Sequence, residues 1–163
     1  MNLFLLRHAE AAPAMPDDAR PLTPKGFAQI ERMARRLDME SFDAIARIEH
    51  SPYLRAAQTA EHFKKVSGLR VPLHVLPGIT PDDDARATAE AVCRGDKDRL
   101  LVGHNPHHET LAGLLLGQGR ATVQVAFAKA GMLALERFSP PTKTTPYGYW
   151  QLKWFVTPPE LIG

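Results

Sequence analysis

Four times along this chain a side chain able to cap a helix stands directly before a proline: Thr23-Pro24, Ser51-Pro52, Thr80-Pro81 and Asn105-Pro106. A capping oxygen followed by a residue that needs no N–H donor is the signature of a helix start. Each pair opens an amphipathic stretch, which predicts helices over residues 24–38, 52–67, 81–94 and 106–117. Short apolar runs fall between them, at residues 2–7, 43–50, 72–76 and 99–103. Strand and helix patterns in alternation predict an α/β domain with a mainly parallel sheet.

The tail departs from that rhythm. Residues 131–138 and 149–156 read as two strands around a turn-rich segment that starts at Ser139-Pro140-Pro141. An antiparallel hairpin closing one side of the sheet is expected, with Trp150, Leu152 and Trp154 on one face, packing on the core. With 163 residues and no repeat or linker before residue 139, the chain is expected to form one domain over residues 1–163.

Bulk properties exclude several classes. A 44% hydrophobic and 23% charged composition belongs to a globular chain and not to a disordered one. The net charge of +2 comes without a basic block, so no nucleic-acid partner is expected. Leu3-Phe4-Leu5-Leu6 is too short for the apolar region of a signal peptide, and no stretch is long enough for a membrane span. The lone cysteine, Cys93, can form no internal disulfide and is expected as a buried or half-buried side chain late in a helix. These features together predict a soluble cytoplasmic monomer with no membrane association.

Ligands of open α/β sheets bind at the carboxyl ends of the strands. The first strand ends in Arg7-His8, the second runs into Ser51-Pro52-Tyr53-Leu54-Arg55, and the fourth ends in Gly103-His104. Two arginines and two histidines in one crevice suit a phosphoryl group. Guanidinium forks match phosphate oxygens, and the helix start beside Arg55 adds N–H groups and a favourable dipole. A neutral imidazole beside such a site can attack phosphorus and hold it as phosphohistidine. Its other nitrogen then needs an acceptor.

Arg7-His8-Ala9-Glu10, Arg20-Pro21-Leu22-Thr23-Pro24-Lys25-Gly26, Ser51 to Ala60 and Val102-Gly103-His104-Asn105-Pro106 together resemble the histidine phosphatase superfamily, and within it the SixA-type phosphohistidine phosphatases. The likeness runs from residue 1 to about residue 117. It implies a phosphoglycerate-mutase-like three-layer α/β/α sandwich. It also implies His8 as nucleophile, Arg7 and Arg55 as the phosphate clamp, His104 as a donor to the same oxygens, and Arg20 as a substrate contact at the pocket mouth. The implied reaction is metal-independent and cofactor-free removal of phosphate from a phosphorylated substrate, with a histidine-phosphorylated protein as the expected one.

Two departures from the family pattern matter differently. Ala9 stands where glycine often ends the first motif, a change between small residues. Gly78 stands where many members carry the glutamate that serves as general acid. Asp82, Asp83 and Asp84 follow it and read as first-turn residues complementing a helix dipole; Glu10, Asp17 and Asp18 are the other candidate proton donors.

Other readings use the same residues. His104, His107, His108 and Glu109 could suggest a metal hydrolase, but adjacent histidines on a helix diverge, and no HExxH or paired-cysteine spacing occurs. His107 and His108 are expected instead at the pocket rim. A small-molecule phosphomonoesterase would use the same pocket, as would a non-catalytic phosphate-binding module. Binding alone needs the arginines but not His8, and the short connections leave no room for the gripping insertion of a mutase.

Overall fold

In the computed structural model, which describes residues 1–120 and 122–158, the strands are β1 (Asn2–Arg7), β2 (Ile45–His50), β3 (Leu73–Val75), β4 (Asp98–Gly103), β5 (Met132–Ser139) and β6 (Tyr149–Val156). The helices are α1 (Pro24–Ala34), α2 (Leu54–Ser67), α3 (Ala85–Arg94) and α4 (His107–Leu116), with short 3₁₀ turns at Asp17–Ala19 and Met39–Phe42. One six-stranded sheet runs in the order β3-β2-β4-β1-β5-β6. The pairs β2–β3, β2–β4 and β1–β4 are parallel, whereas β1–β5 and β5–β6 are antiparallel. This is the expected α/β architecture with its C-terminal hairpin.

Side-chain alternation divides the core between two faces. Phe4 and Leu6 of β1 face Ile30 and Met33 of α1 and Ala56, Ala60 and Phe63 of α2. Leu3 and Leu5 point the other way, into Ala89 and Val92 of α3 and Leu111, Leu114 and Leu115 of α4. β1 and β4 are buried on both faces, which is why both read as unbroken apolar runs.

The helix starts correct the sequence expectation. Only Thr23-Pro24 behaves as read: Thr23 Oγ1 accepts from Gly26 N at 3.0 Å. After Ser51-Pro52 the helix begins at Leu54, and Ser51 Oγ accepts from Tyr53 N at 3.3 Å. After Thr80-Pro81 it begins at Ala85, capped by Asp84, which accepts from Arg86 N at 2.9 Å. Asp83 Oδ2 meanwhile accepts from Thr80 N at 2.7 Å, so these aspartates build the turn before α3 and do not lie inside its first turn. Asn105 does not cap α4; its amide nitrogen donates to Glu109 Oε1 and to Phe127 O. At strand ends the polar side chains find tertiary partners that outcompete the local cap.

The hairpin also differs from the one-face reading. Ala134 pairs with Trp154 and Leu135 with Leu152, leaving Lys153 as an extra residue in β6. A bulge reverses the alternation. Trp150 therefore packs with the α3/α4 core, Trp154 packs against the α1/α2 core, and Leu152 is 52% exposed. Cys93 is buried as expected. Among the described residues no helix is long and apolar enough to cross a membrane.

Gly26 shows how tightly the first loop is laid over α1. A Cβ at this position would stand 2.2 Å from the Glu10 carbonyl oxygen. Alanine is the better helix former by about 1 kcal/mol, yet Gly26→Ala is expected to destabilise the protein by about 1–3 kcal/mol because backbone must move. Urea unfolding midpoints measure it, and an unchanged or raised midpoint would mean that the Glu10 loop yields without cost.

Candidate active site

Register decides which loops meet. β2, β4 and β1 are adjacent and parallel, with His50 opposite Val102 and Arg7 opposite Gly103. The chain leaves all three strands at one level. His8 N donates to Gly103 O and Ser51 N to Val102 O, both at 2.9 Å. As a result the rings of His8 and His104 lie 5.1 Å apart, centre to centre.

His8 is 8% exposed, and its ring is fixed at both nitrogens. Nδ1 lies 2.7 Å from Ala9 O; a carbonyl can only accept, so Nδ1 carries the hydrogen. Nε2 is left with its lone pair and accepts from Arg55 Nε at 3.3 Å. Burial lowers the His8 pKa to about 4, assisted by the charges of Arg55, Arg7 and Arg20 and opposed by the bond to Ala9. Ala9 is itself held by Thr59, whose Oγ1 accepts from Ala9 N at 3.1 Å and donates to Arg55 O at 2.6 Å.

Each arginine has a strut. Arg55, in the first turn of α2 and 4% exposed, donates from Nη1 to Asp17 O at 2.7 Å and from Nη2 to Asp17 Oδ2 at 3.1 Å. Arg7 Nη1 donates to Phe127 O at 2.7 Å, and Glu109 Oε1 accepts from Phe127 N at 3.3 Å and from Asn105 Nδ2 at 2.7 Å. Arg7 Nε is a buried donor with no protein partner among the described residues. Beside this network runs a cleft of about 550 Å³ lined by Glu109, Thr110, Gly113 and residues 123–126. Arg20 donates from Nε to Ala12 O at 3.0 Å and from Nη1 to Asp17 Oδ1 at 3.2 Å, so it joins the others through Asp17.

His104 is 1% exposed, and its Nε2 lies 2.8 Å from Ser51 Oγ. Burial, then the charges of His8 and Arg55, lower its pKa to about 2. His107 and His108 are not at the rim: they are 2% and 0% exposed. His107 Nε2 meets Thr88 Oγ1 at 3.0 Å, and His108 Nε2 meets Leu101 O at 3.3 Å. Gly103 has no side chain because the His108 ring lies where one would be, 2.7 Å from an added Cβ. The two rings are core groups beneath the site. Among the described residues no three His, Cys, Asp or Glu side chains group to hold a metal ion.

Four of the six candidate proton donors, Glu10, Asp17, Asp83 and the α3 cap Asp84, are engaged in other contacts. Glu10 bonds Thr23 and Lys25, which hold its carboxyl below the usual range. The Asp17 carboxyl is also lowered: burial opposes the shift, and hydrogen bonds from Arg20 and Arg55 outweigh it. Asp83 is lowered by its bonds to Thr80. Gly78 sits at φ +86, a backbone conformation that suits glycine and strains a glutamate.

The four residues expected to share a crevice are thus adjacent, and Arg20 reaches them through Asp17. Three features escaped the sequence reading: Ser51 as a partner of His104, Asp17 as the strut of Arg55, and the Asn105–Glu109–Phe127 support of Arg7. In the sequence Ser51 reads as a helix cap, and no local pattern marks the contacts of a loop with residues 38 or 120 positions away.

With anion-ready donors grouped around a bare imidazole nitrogen, the arrangement fits phosphoryl chemistry, and known proteins agree. The model of the histidine phosphatase superfamily (branch 1) matches residues 3–80. The phosphohistidine phosphatase SixA of Escherichia coli (strain K12) is 39% identical over 123 residues, 72% of this chain and 73% of that protein. A solved structure of the protein histidine phosphatase SixA, complexed with tungstate, superposes with a TM-score of 0.81 over 99% of both chains at 27% identity. A phosphoserine phosphatase from Entamoeba histolytica shares the fold at a TM-score of 0.66 and 17% identity, covering 98% of each chain. The chain belongs to the histidine phosphatase superfamily.

Proposed function

We propose that this protein is a phosphohistidine phosphatase that carries phosphate transiently on His8. The observation that carries the proposal is the state of the His8 ring: Nδ1 spends its hydrogen on Ala9 O, and Nε2 keeps a lone pair in a cation-lined pocket. In the first half-reaction Nε2 attacks phosphorus as the bond to the substrate nitrogen breaks, and the departing imidazole takes up a proton. In the second, water attacks the phosphorylated His8, releasing inorganic phosphate and restoring Nε2. Arg7 and Arg55 hold the phosphoryl oxygens, His104 donates to them as charge develops, and Arg20 lines the mouth. No metal enters either step.

The state of the carboxylates supports a phosphohistidine substrate over an alkyl ester. An alkoxide leaves poorly without a proton donor, whereas an imidazole protonated on its ring leaves as a neutral molecule. Glu10, Asp17 and Asp83 are all held in the ionised form, the wrong form for donating a proton. The cleft beside Arg7 gives room for the polypeptide around a phosphorylated histidine. We place the protein in the cytoplasm as a monomer, a setting that suits its one buried thiol, raised by burial to about 11.

Brief exposure to labelled phosphohistidine protein is expected to leave label on His8 that is labile in acid and stable in base, and His8→Ala to lose both label and turnover. Turnover near the wild-type rate in His8→Ala would remove the nucleophile assignment. The His8 ring is also expected to stay unprotonated far below the ordinary histidine value of 6.5. Because its pKa is lowered, the attacking form persists as pH falls until about 4 and is lost below it. An NMR titration of the ring reads this directly, and a midpoint near 6.5 contradicts it. Finally, phosphoramidates are expected to exceed alkyl phosphates in kcat by about 100-fold or more, the scale of an absent general acid. Equal rates at saturation would mean that one of the carboxylates supplies the proton after all.

A further inference from the structure

A neutral imidazole has one N–H, and the nitrogen that bears it decides whether the ring attracts or repels a phosphate oxygen. His104 Nε2 lies 2.8 Å from Ser51 Oγ, while His104 Nδ1 is buried and has no protein partner among the described residues. Ser51 is 0% exposed. Its hydroxyl oxygen already accepts from Tyr53 N at 3.3 Å, and no third partner of that hydroxyl occurs among the described residues. The residue cannot swing away, because Ser51 N donates to Val102 O at 2.9 Å and Ser51 O lies 2.8 Å from His50 Nδ1.

Two proton arrangements are available. With the hydrogen on Nε2, that nitrogen donates to Ser51 Oγ, which leaves the serine hydrogen without an acceptor and Nδ1 as a bare buried acceptor. With the hydrogen on Nδ1, the serine hydroxyl donates to Nε2 and accepts from Tyr53, and every polar atom is used except the Nδ1–H itself. A buried polar group without a partner is costly, so the second arrangement is favoured. It is also the useful one, since a phosphoryl group seated against both His8 and His104, whose rings are 5.1 Å apart, needs a donor there.

We propose that Ser51 is a positioning residue that fixes His104 as the Nδ1–H tautomer and thereby supplies the donor for the transferring phosphoryl group. The kinetic consequence rests on the phosphatase reading; the tautomer is a property of the free protein and is tested without turnover. A serine that only began α2 would affect stability and leave the ring's proton where it was.

The experiment has a direct arm and a kinetic arm. In ¹⁵N spectra of the free wild-type protein, assigned with His104→Gln, Nδ1 of His104 is expected to show the protonated type of shift and Nε2 the bare type. The opposite assignment overturns the proposal with no variant of Ser51 needed. In Ser51→Ala the pattern is expected to move toward the Nε2–H form, and kcat for a phosphoramidate to fall on the order of tenfold to a hundredfold with a smaller change in KM. Ser51→Thr, which keeps the hydroxyl, is expected to restore the tautomer and part of kcat. His104→Asn carries its own amide donor near the Nδ1 position and has no tautomer to set, so adding Ser51→Ala to it is expected to cost less than twofold. A loss in that background as large as in the wild type would assign Ser51 a purely structural role. Inactivity of the wild type toward all phosphates, with the tautomer as stated, would defeat the phosphatase reading and spare the assignment of the proton.

Discussion

Two backbone hydrogen bonds, His8 N to Gly103 O and Ser51 N to Val102 O, tie together the exits of three parallel strands, and the site follows from them. Parallel strands stand about 4.8 Å apart, so residues that leave adjacent strands at one level come within reach of one phosphoryl group. His8, Ser51 and His104 do so without any long loop to aim them. Both faces of these strands are packed by helices, which leaves the register no freedom to slip: a shift of one residue would turn Phe4 and Leu6 toward α3 and α4 and expose the site's histidines on the wrong side.

The crevice gathers positive charge around a neutral imidazole, an arrangement that is unfavourable until an anion arrives. The fold offsets it with groups that do not react. Asp17 neutralises part of Arg55 and links it to Arg20. Burial lowers the Arg7 pKa, and Glu109, which acts on Arg7 through space and through Phe127, opposes part of that shift. Asp17 is the more exposed of the two, its side chain 55% accessible, and its pairing with Arg55 is correspondingly worth less than a buried one. Geometry is its main contribution: with Nη1 on the Asp17 carbonyl and Nη2 on its carboxylate, the guanidinium plane is set before substrate binds.

Much of this was legible in the chain. Unbroken apolar runs gave away strands buried on both faces, and polar residues directly after them gave away the site, because open parallel sheets leave their ligand groups nowhere else to come from. Thr23 behaves as a cap because its tertiary partner takes only the hydrogen: the hydroxyl donates to Glu10 while its oxygen still accepts from Gly26 N. Ser51, Asp84 and Asn105 depart from the local reading because their roles depend on His104, on a turn of three aspartates and on Glu109, partners that local spacing cannot rank. The buried His107 and His108 looked like polar rim residues because residue type suggested exposure, while the apolar stripe of α4 continues through them. The bulge at Lys153 left no mark in the alternation of β6, which reads the same with or without it.

The carboxylates carry the last step of the argument. A group can serve either as a strut for a cation or as a proton donor near neutral pH, because the charge that makes it a good strut also holds its pKa down. Here Glu10 binds Lys25, Asp17 binds two arginines, Asp83 closes the turn before α3, and Gly78 supplies no carboxylate at all. The two histidines nearest the phosphoryl position are no better as acids, since burial keeps both neutral. A site so arranged stabilises a phosphoryl group well and a basic leaving group poorly. On the proposed mechanism its selectivity is set by what the substrate can do for itself, and a phosphorylated imidazole, which takes its proton on the ring and departs uncharged, meets that condition where an alkyl ester does not.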